Sequence, residues 1–289
     1  MSIFQTDEPM NLSIKKQTLF QIFILTAAFL FVYQKAILKL ISDWSTDPNF
    51  SHGFLIPFVA LYMIWYKKNE LAEVSFKPSL AGIIVIIGGM LIHVAGNLGS
   101  ELFLMRFSMI ITLSGIIIYF CGFEIFKRIL VPIAYLIMMI PIPAILWNQV
   151  AFPLQLFSAQ ISAQAINLLN IPVFREGNIL HLANTSLEVV DACSGIRSLT
   201  SLLALTGAFA FLAPLSTFKK WVLFLSAVPI AVAVNVIRLT ITGAMAAWIG
   251  PETAHGFLHD MSGLIIFGAA LILVYLVFII EMKIQKRQG

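Results

Sequence analysis

Long apolar runs, separated by short charged segments, fill most of the chain. A bilayer core about 30 Å thick takes about 20 apolar residues in a helix that rises about 1.5 Å per residue. The pattern therefore predicts membrane-spanning helices and not a soluble core. We distinguish eight runs: Thr18–Gln34, Phe54–Tyr66, Ser79–Gly96, Leu102–Gly122, Ile129–Val150, Ser194–Ala213, Trp221–Gly250 and Phe257–Ile280. The second run is short, and we expect Ser51-His52-Gly53 to extend it.

The longest connection, about residues 151–192, separates the fifth and sixth runs. Its first part, Phe152–Leu169, interleaves polar residues with Leu, Ile and Phe, which is typical of a helix in the interface or packed across the bundle. Its second part alternates in short segments at Ile179–Leu182 and Leu187–Val190, which predicts a small β-hairpin. The predicted fold class is an all-α polytopic membrane protein of about eight transmembrane helices, with this interfacial helix and hairpin on the outer side.

Composition and charge agree with a single integral membrane domain over residues 1–289. The chain is 60% hydrophobic and 11% charged, against about 25% charged residues in soluble domains. The positive-inside rule places both termini in the cytoplasm. The chain has no dense basic run of the kind that would indicate nucleic-acid binding. We therefore interpret the basic residues as determinants of membrane orientation, and we expect contact with membrane lipids. The basic residues at alternate run ends are Lys15, Lys16, Lys67, Lys68, Lys77, Lys127, Arg128, Lys219, Lys220, Lys283, Lys286 and Arg287.

The chain has two cysteines, Cys121 and Cys193. No cluster of metal-ligating residues has suitable spacing, so we expect neither a metal nor an organic cofactor. Cys193 opens the sixth run, and a helix N-terminus favours a thiolate through its unpaired N–H groups and its dipole. A lone cysteine in a membrane helix is also a common small apolar residue. The position of Cys193 alone therefore favours a nucleophile and a packing residue equally.

A pair of polar residues interrupts the seventh run. Asn235 and Arg238 are three residues apart and therefore share one helical face. An arginine inside an apolar span costs at least about 2.5 kcal/mol on insertion scales, so we expect it to face the bundle interior. A carboxylate such as Asp260 or Asp191 is a candidate structural partner. The cost of the charge favours a functional role over a structural one.

His259 opens the eighth run and is followed by Gly263 and Phe267 on the same face. A single histidine at a helix start is commonly an interface residue. The seventh run is expected to cross the membrane from the inside to the outside. At about 1.5 Å per residue, Arg238 then lies roughly 25 Å from its inner end. Cys193, Arg238 and His259 are therefore expected at a similar depth, at the outer face.

Two further residues are weaker candidates for the same region. His52 precedes the short second run and is expected either to line the outer cavity or, more simply, to be structural. Arg197 lies one turn into the sixth run, where we hypothesise that it binds a lipid phosphate or an acidic residue of a substrate.

The ordered polar motifs resemble those of the exosortase/archaeosortase family of multipass membrane proteins, and the resemblance runs from about Trp44 to Phe267. It implies a cysteine peptidase or transpeptidase of the prokaryotic inner membrane, with Cys193, Arg238 and His259 as its catalytic residues. The implied substrates are exported proteins that end in a Pro-Glu-Pro-like motif, a transmembrane helix and a basic tail. The implied acceptor is water or an envelope glycan or lipid. The motifs are Cys193-Ser-Gly195-Ile-Arg-Ser-Leu199, Asn235-x-x-Arg238 and His259-x-x-x-Gly263-x-x-x-Phe267.

Two other classes of protein remain open at this point. Intramembrane arginine and histidine also mark transporters and channels, but the chain has no repeat halves and its polar residues gather at one face. A non-catalytic scaffold of an exopolysaccharide export system is the second alternative.

Overall fold

The chain is mostly helical. A computed structural model describes residues 16–189, 196–251 and 257–288, without the side chains of residues 16–18, 196–198, 257–262 and 288. Within this part the α-helices are α1 (Lys16–Thr46), α2 (Ile56–Tyr66), α3 (Lys68–Ala72), α4 (Ala81–Leu98), α5 (Leu102–Cys121), α6 (Phe123–Tyr135), α7 (Ala144–Leu168), α8 (Ile196–Leu212), α9 (Thr217–Trp248) and α10 (Phe257–Gln288).

Five helices in the described part are long and apolar enough to cross a membrane, namely α1 from Leu19 onwards, α4, α5, α9 and α10 from Gly263 to Arg287. A sixth span results if α6 and α7 are counted together as one broken span, because they are bent by 86° at their junction. Helix α2 and residues 199–212 of α8 are apolar but shorter. The mostly helical fold with several candidate membrane spans is therefore confirmed, while the number of eight spans stays a prediction.

The fifth predicted span and the helix after it have different boundaries from those expected. We expected one helix over Ile129–Val150 and another over Phe152–Leu169, but α6 ends before residue 140 through a 3-10 turn, Leu136–Met139, and α7 already begins at Ala144. Pro141 and Pro143 lie in the break. Proline has no N–H to donate and forces the preceding residue into an extended conformation. The break therefore falls at the proline pair.

Helix α7 packs across α9 in the described structure. The contact is close at Gly243, where the position of an added Cβ lies 2.7 Å from Cδ1 of Ile166. Ile166 is fully buried there. Of the two placements expected for this segment, the structure shows the helix packed against the bundle.

A three-stranded antiparallel sheet follows α7, in the order β1 (Val173–Glu176), β2 (Ile179–Leu182), β3 (Ser186–Glu188). The predicted hairpin is confirmed as β2 and β3, and β1 adds a third strand that the sequence pattern did not reveal. Leu180 and Leu187 point into a core shared with α7 and α9. The sheet is thereby fixed on the helices directly before the segment that contains Cys193.

Close packing of α4 on α5 depends on glycine. An added Cβ on Gly82 would lie 2.4 Å from the backbone N of Tyr119, and one on Gly89 would lie 2.3 Å from Oγ1 of Thr112. Next to this pair, α1 is tied to α5 by an ion pair between the buried Arg106 and the half-buried Asp43. The first half of the chain therefore forms a tightly packed group.

Candidate functional site

A cavity of about 710 Å³ lies between α2, α8, α9 and α10. Its size is within the range of about 300–1,000 Å³ that is usual for ligand sites. The 3-10 turn Ser51–Phe54 closes one side, and Tyr135 of α6 lines another part. The Tyr135 hydroxyl donates to the carbonyl of Ala204, at 2.9 Å, and so braces α8 against α6. Helix α8 stands at the centre, since it packs against α2 and also against α9 and α10.

Helix α9 contributes Asn235 and Arg238 to the cavity wall, as the sequence spacing predicted. Asn235 is 2% exposed, and its Nδ2 donor has no hydrogen-bond partner among the residues that the structure describes. An unsatisfied buried donor costs about 1–3 kcal/mol. Arg238 is half-buried beside it. This wall therefore presents an amide donor and a guanidinium to whatever occupies the cavity.

Helix α10 meets Arg238 at Gly263. The position of a Cβ on Gly263 lies 3.8 Å from Nη2 of Arg238, which is ordinary van der Waals distance. The backbone of His259 lies four residues earlier, hence one turn away on the same helix face. The predicted proximity of the His259 turn to Arg238 is consistent with this contact, but the His259 side chain lies outside the described part.

The opposite wall carries His52 and Ser201. Nδ1 of His52 lies 3.5 Å from Oγ of Ser201, and both residues line the cavity.

The remaining predicted site residues lie outside the described residues in whole or in part. Cys193 and Asp191 belong to the segment between β3 and α8, of which no structure is described. Arg197 and Asp260 lie in the first turns of α8 and α10, but only their backbone is described. The arrangement of Cys193, Arg238 and His259 as a set stays a prediction, as does the carboxylate partner of Arg238.

Sequence reasoning missed the contribution of α8 to the cavity. Ser201, Ala204, Leu205 and Ala208 all line it, and their spacing places them on one helical face. Three of the four are small, which is the usual signal for close approach of another helix. The sequence shows this face of small residues, but it does not show which helices pack around it.

The described part of the chain contains no group of three or more His, Cys, Asp or Glu side chains that could hold a metal ion. In the described residues the cavity lining offers hydrogen-bond donors and the Arg238 guanidinium, set in largely apolar walls.

Comparison with protein families decides the classification. The family model described as transmembrane exosortase matches residues 44–276. The chain belongs to the transmembrane exosortase family. The matched region includes both cavity walls of this exosortase, and it confirms the resemblance seen between Trp44 and Phe267. No curated protein and no solved structure matches the chain.

Proposed function

We propose that the chain is a membrane-embedded cysteine peptidase or transpeptidase that cleaves C-terminal sorting signals from exported proteins. The signal is a Pro-Glu-Pro-like motif followed by a transmembrane helix and a basic tail. The observation that carries the proposal is the cavity wall of Asn235 and Arg238 beside the turn of α10 that contains His259. Membership of the exosortase family supports the reaction class.

In the first step, Sγ of Cys193 attacks the carbonyl carbon of the scissile peptide bond as a thiolate. The C–N bond breaks, His259 gives a proton to the departing amine, and the N-terminal product stays attached as a thioester. In the second step His259 takes a proton from water, or from a hydroxyl or amine of an envelope glycan or lipid. That nucleophile displaces Sγ and releases the product.

Arg238 and Asn235 act on the charge that develops during this reaction. Both line the cavity, and donors fixed before the reaction stabilise an oxyanion without reorganisation. Nδ2 of Asn235 has no hydrogen-bond partner in the described part of the chain, so it is available for the oxyanion. Asp260 or Asp191 orients His259 or pairs with Arg238, and Arg197 contacts a lipid phosphate or the acidic residue of the motif.

We further propose eight spans, with both termini in the cytoplasm and the reaction at the outer face of the inner membrane. Basic residues from separate loops meet at one end of the bundle, which supports this orientation. Lys67 and Lys220 lie 5.5 and 5.8 Å from the centre of the Phe211 ring. Arg128 lies 3.8 Å from Glu70 of the same end. The positive-inside rule requires that the basic residues of these loops lie at the same end of the bundle.

The experiment that tests the proposal is co-expression with a test protein that carries the three-part signal, followed by measurement of tail removal on a gel. We expect Cys193→Ala, Arg238→Ala and His259→Ala each to abolish processing. Cys121→Ala is the matched control, because Cys121 lies at the C-terminal end of α5 and not in the cavity lining; it should process normally. Normal processing by all three site variants would contradict the proposal and favour a transporter or a scaffold.

A further inference from the structure

The cavity opens at the surface of the helix bundle. Three leucines line it and are also highly exposed: Leu55 at 64%, Leu205 at 46% and Leu264 at 68%. Leu55 lies at the start of α2, and Leu264 lies on α10. We call the surface between them the lateral opening. A residue can both line a cavity and be so exposed only where the cavity meets the outside.

The lateral opening follows from how the helices pack. In the described part of the chain, α2 packs mainly on α6 and α8, whereas α10 packs on α9 and α8. Helices α2 and α10 share no extended contact there. Helix α2 has 11 residues, and at about 1.5 Å per residue it cannot fill the height of a bilayer core about 30 Å thick. We therefore expect the gap beside this short helix to face the hydrocarbon region.

The inner end of the lateral opening is polar. Asn235 and Arg238 belong to α9 within a candidate span. Nδ2 of Asn235 is buried and has no partner among the described residues, so an acceptor oxygen of the occupant would satisfy it. Lipid acyl chains have no such oxygen. A polypeptide that enters from the bilayer brings carbonyl oxygens wherever its backbone is extended and not helical.

We propose that the lateral opening between α2 and α10 is the entrance for the apolar transmembrane segment of the substrate. The segment slides in from the bilayer between Leu55 and Leu264, and the extended chain before it presents a backbone carbonyl to Asn235 and Arg238. The proposal rests on the proposed function and adds the route by which the substrate reaches the site. The small residues Ala204, Ala208 and Gly263 leave the room that a peptide chain needs.

Photo-crosslinking tests the route without requiring catalysis. A benzophenone amino acid is placed at Leu55 or Leu264 in the full-length Cys193→Ala variant. The variant is co-expressed with a test protein that ends in Pro-Glu-Pro, an apolar segment and a basic tail. Phe58 and Ile265 are matched controls, since they are 71% and 66% exposed but do not line the cavity. We expect several-fold more crosslinked substrate from positions 55 and 264 than from positions 58 and 265.

A second measurement uses the active enzyme. Leu264→Trp narrows the lateral opening and should slow processing several-fold, while Ile265→Trp, on the neighbouring surface, should leave the rate unchanged. Extraction and elution from a sizing column as for the unsubstituted protein establish that both variants fold.

The outcomes separate the route from the reaction. Equal crosslinking at all four positions, or crosslinks from positions 55 and 264 to lipid alone, would overturn the route. Selective crosslinking at positions 55 and 264 supports it even if the variants of Cys193, Arg238 and His259 still process substrate, in which case the proposed chemistry fails and the route stands.

Discussion

At the scale of single residues, Asn235 and Arg238 are the best-supported parts of the site. Their shared helical face and the cost of a charge in an apolar helix were both predictable from sequence. The contact of His52 with Ser201 was not, because it joins residues 149 positions apart and depends on how α8 packs on α2. Arg106 is 2% exposed inside the fourth apolar run. An arginine inside an apolar span is expected to face the bundle interior. This argument, made above for Arg238, applies equally to Arg106 and would have predicted its burial.

Asn235 is predicted to favour function at the expense of stability. Leucine has a similar shape and removes the unsatisfied donor, whose burial costs about 1–3 kcal/mol. We therefore expect Asn235→Leu to unfold at the same temperature or higher in detergent. Its processing rate should fall by about 10²–10³-fold, as for other lost oxyanion donors. A lower unfolding temperature together with full activity would show that Asn235 is only structural.

Gly263 is predicted to set the position of the Arg238 guanidinium. A Cβ on Gly263 fits at 3.8 Å from Nη2, so Gly263→Ala should retain most activity. The longer side chain of Gly263→Leu reaches into the space of the guanidinium, so processing should be lost. Gly268→Leu on the same helix is the control, because nothing lies within 4 Å of its Cβ position. Equal activity of the Gly263→Leu and Gly268→Leu variants would contradict this role for Gly263.

At the scale of elements, the apolar runs predicted most helices well, and the differences have local causes. Helix α1 continues to Thr46, well past the predicted Gln34. Lys39 and Asp43 do not end it, because they form an i, i+4 ion pair of 2.8 Å on the helix surface. The break between α6 and α7 coincides with a proline pair that was visible in the sequence. The sharp bend of 86° there depends on packing that no local pattern encodes.

The ion pair between α1 and α5 should have an asymmetric effect on stability. Arg106 is nearly fully buried, so Asp43→Ala leaves an uncompensated buried charge and should cost about 3–5 kcal/mol. Arg106→Leu should cost less, because Asp43 keeps Lys39 at 2.8 Å. Denaturation in detergent measures both. Glu124→Ala breaks an exposed pair with Lys127 and should change stability by less than about 1 kcal/mol. Equal losses of stability for Asp43→Ala and Arg106→Leu would contradict the prediction that the buried Arg106 depends on this ion pair more than Asp43 does.

At the scale of the whole molecule, two groups of helices pack differently. Helices α1, α4 and α5 pack closely through glycines and an ion pair. Helices α2, α8, α9 and α10 instead leave a cavity among them. Hydropathy predicted the membrane architecture, since the bilayer fixes the length and polarity of a span. It could not predict which spans leave a gap, because that depends on contacts between distant helices.

The most direct test of the central claim is mass spectrometry of the purified protein after brief exposure to the test substrate. The proposed mechanism predicts a thioester that joins the N-terminal product to Cys193 and is released by hydroxylamine. The adduct should be absent from the Cys193→Ala variant, which should also leave the substrate intact. Continued cleavage by Cys193→Ala, or an adduct on a different residue, would contradict the mechanism.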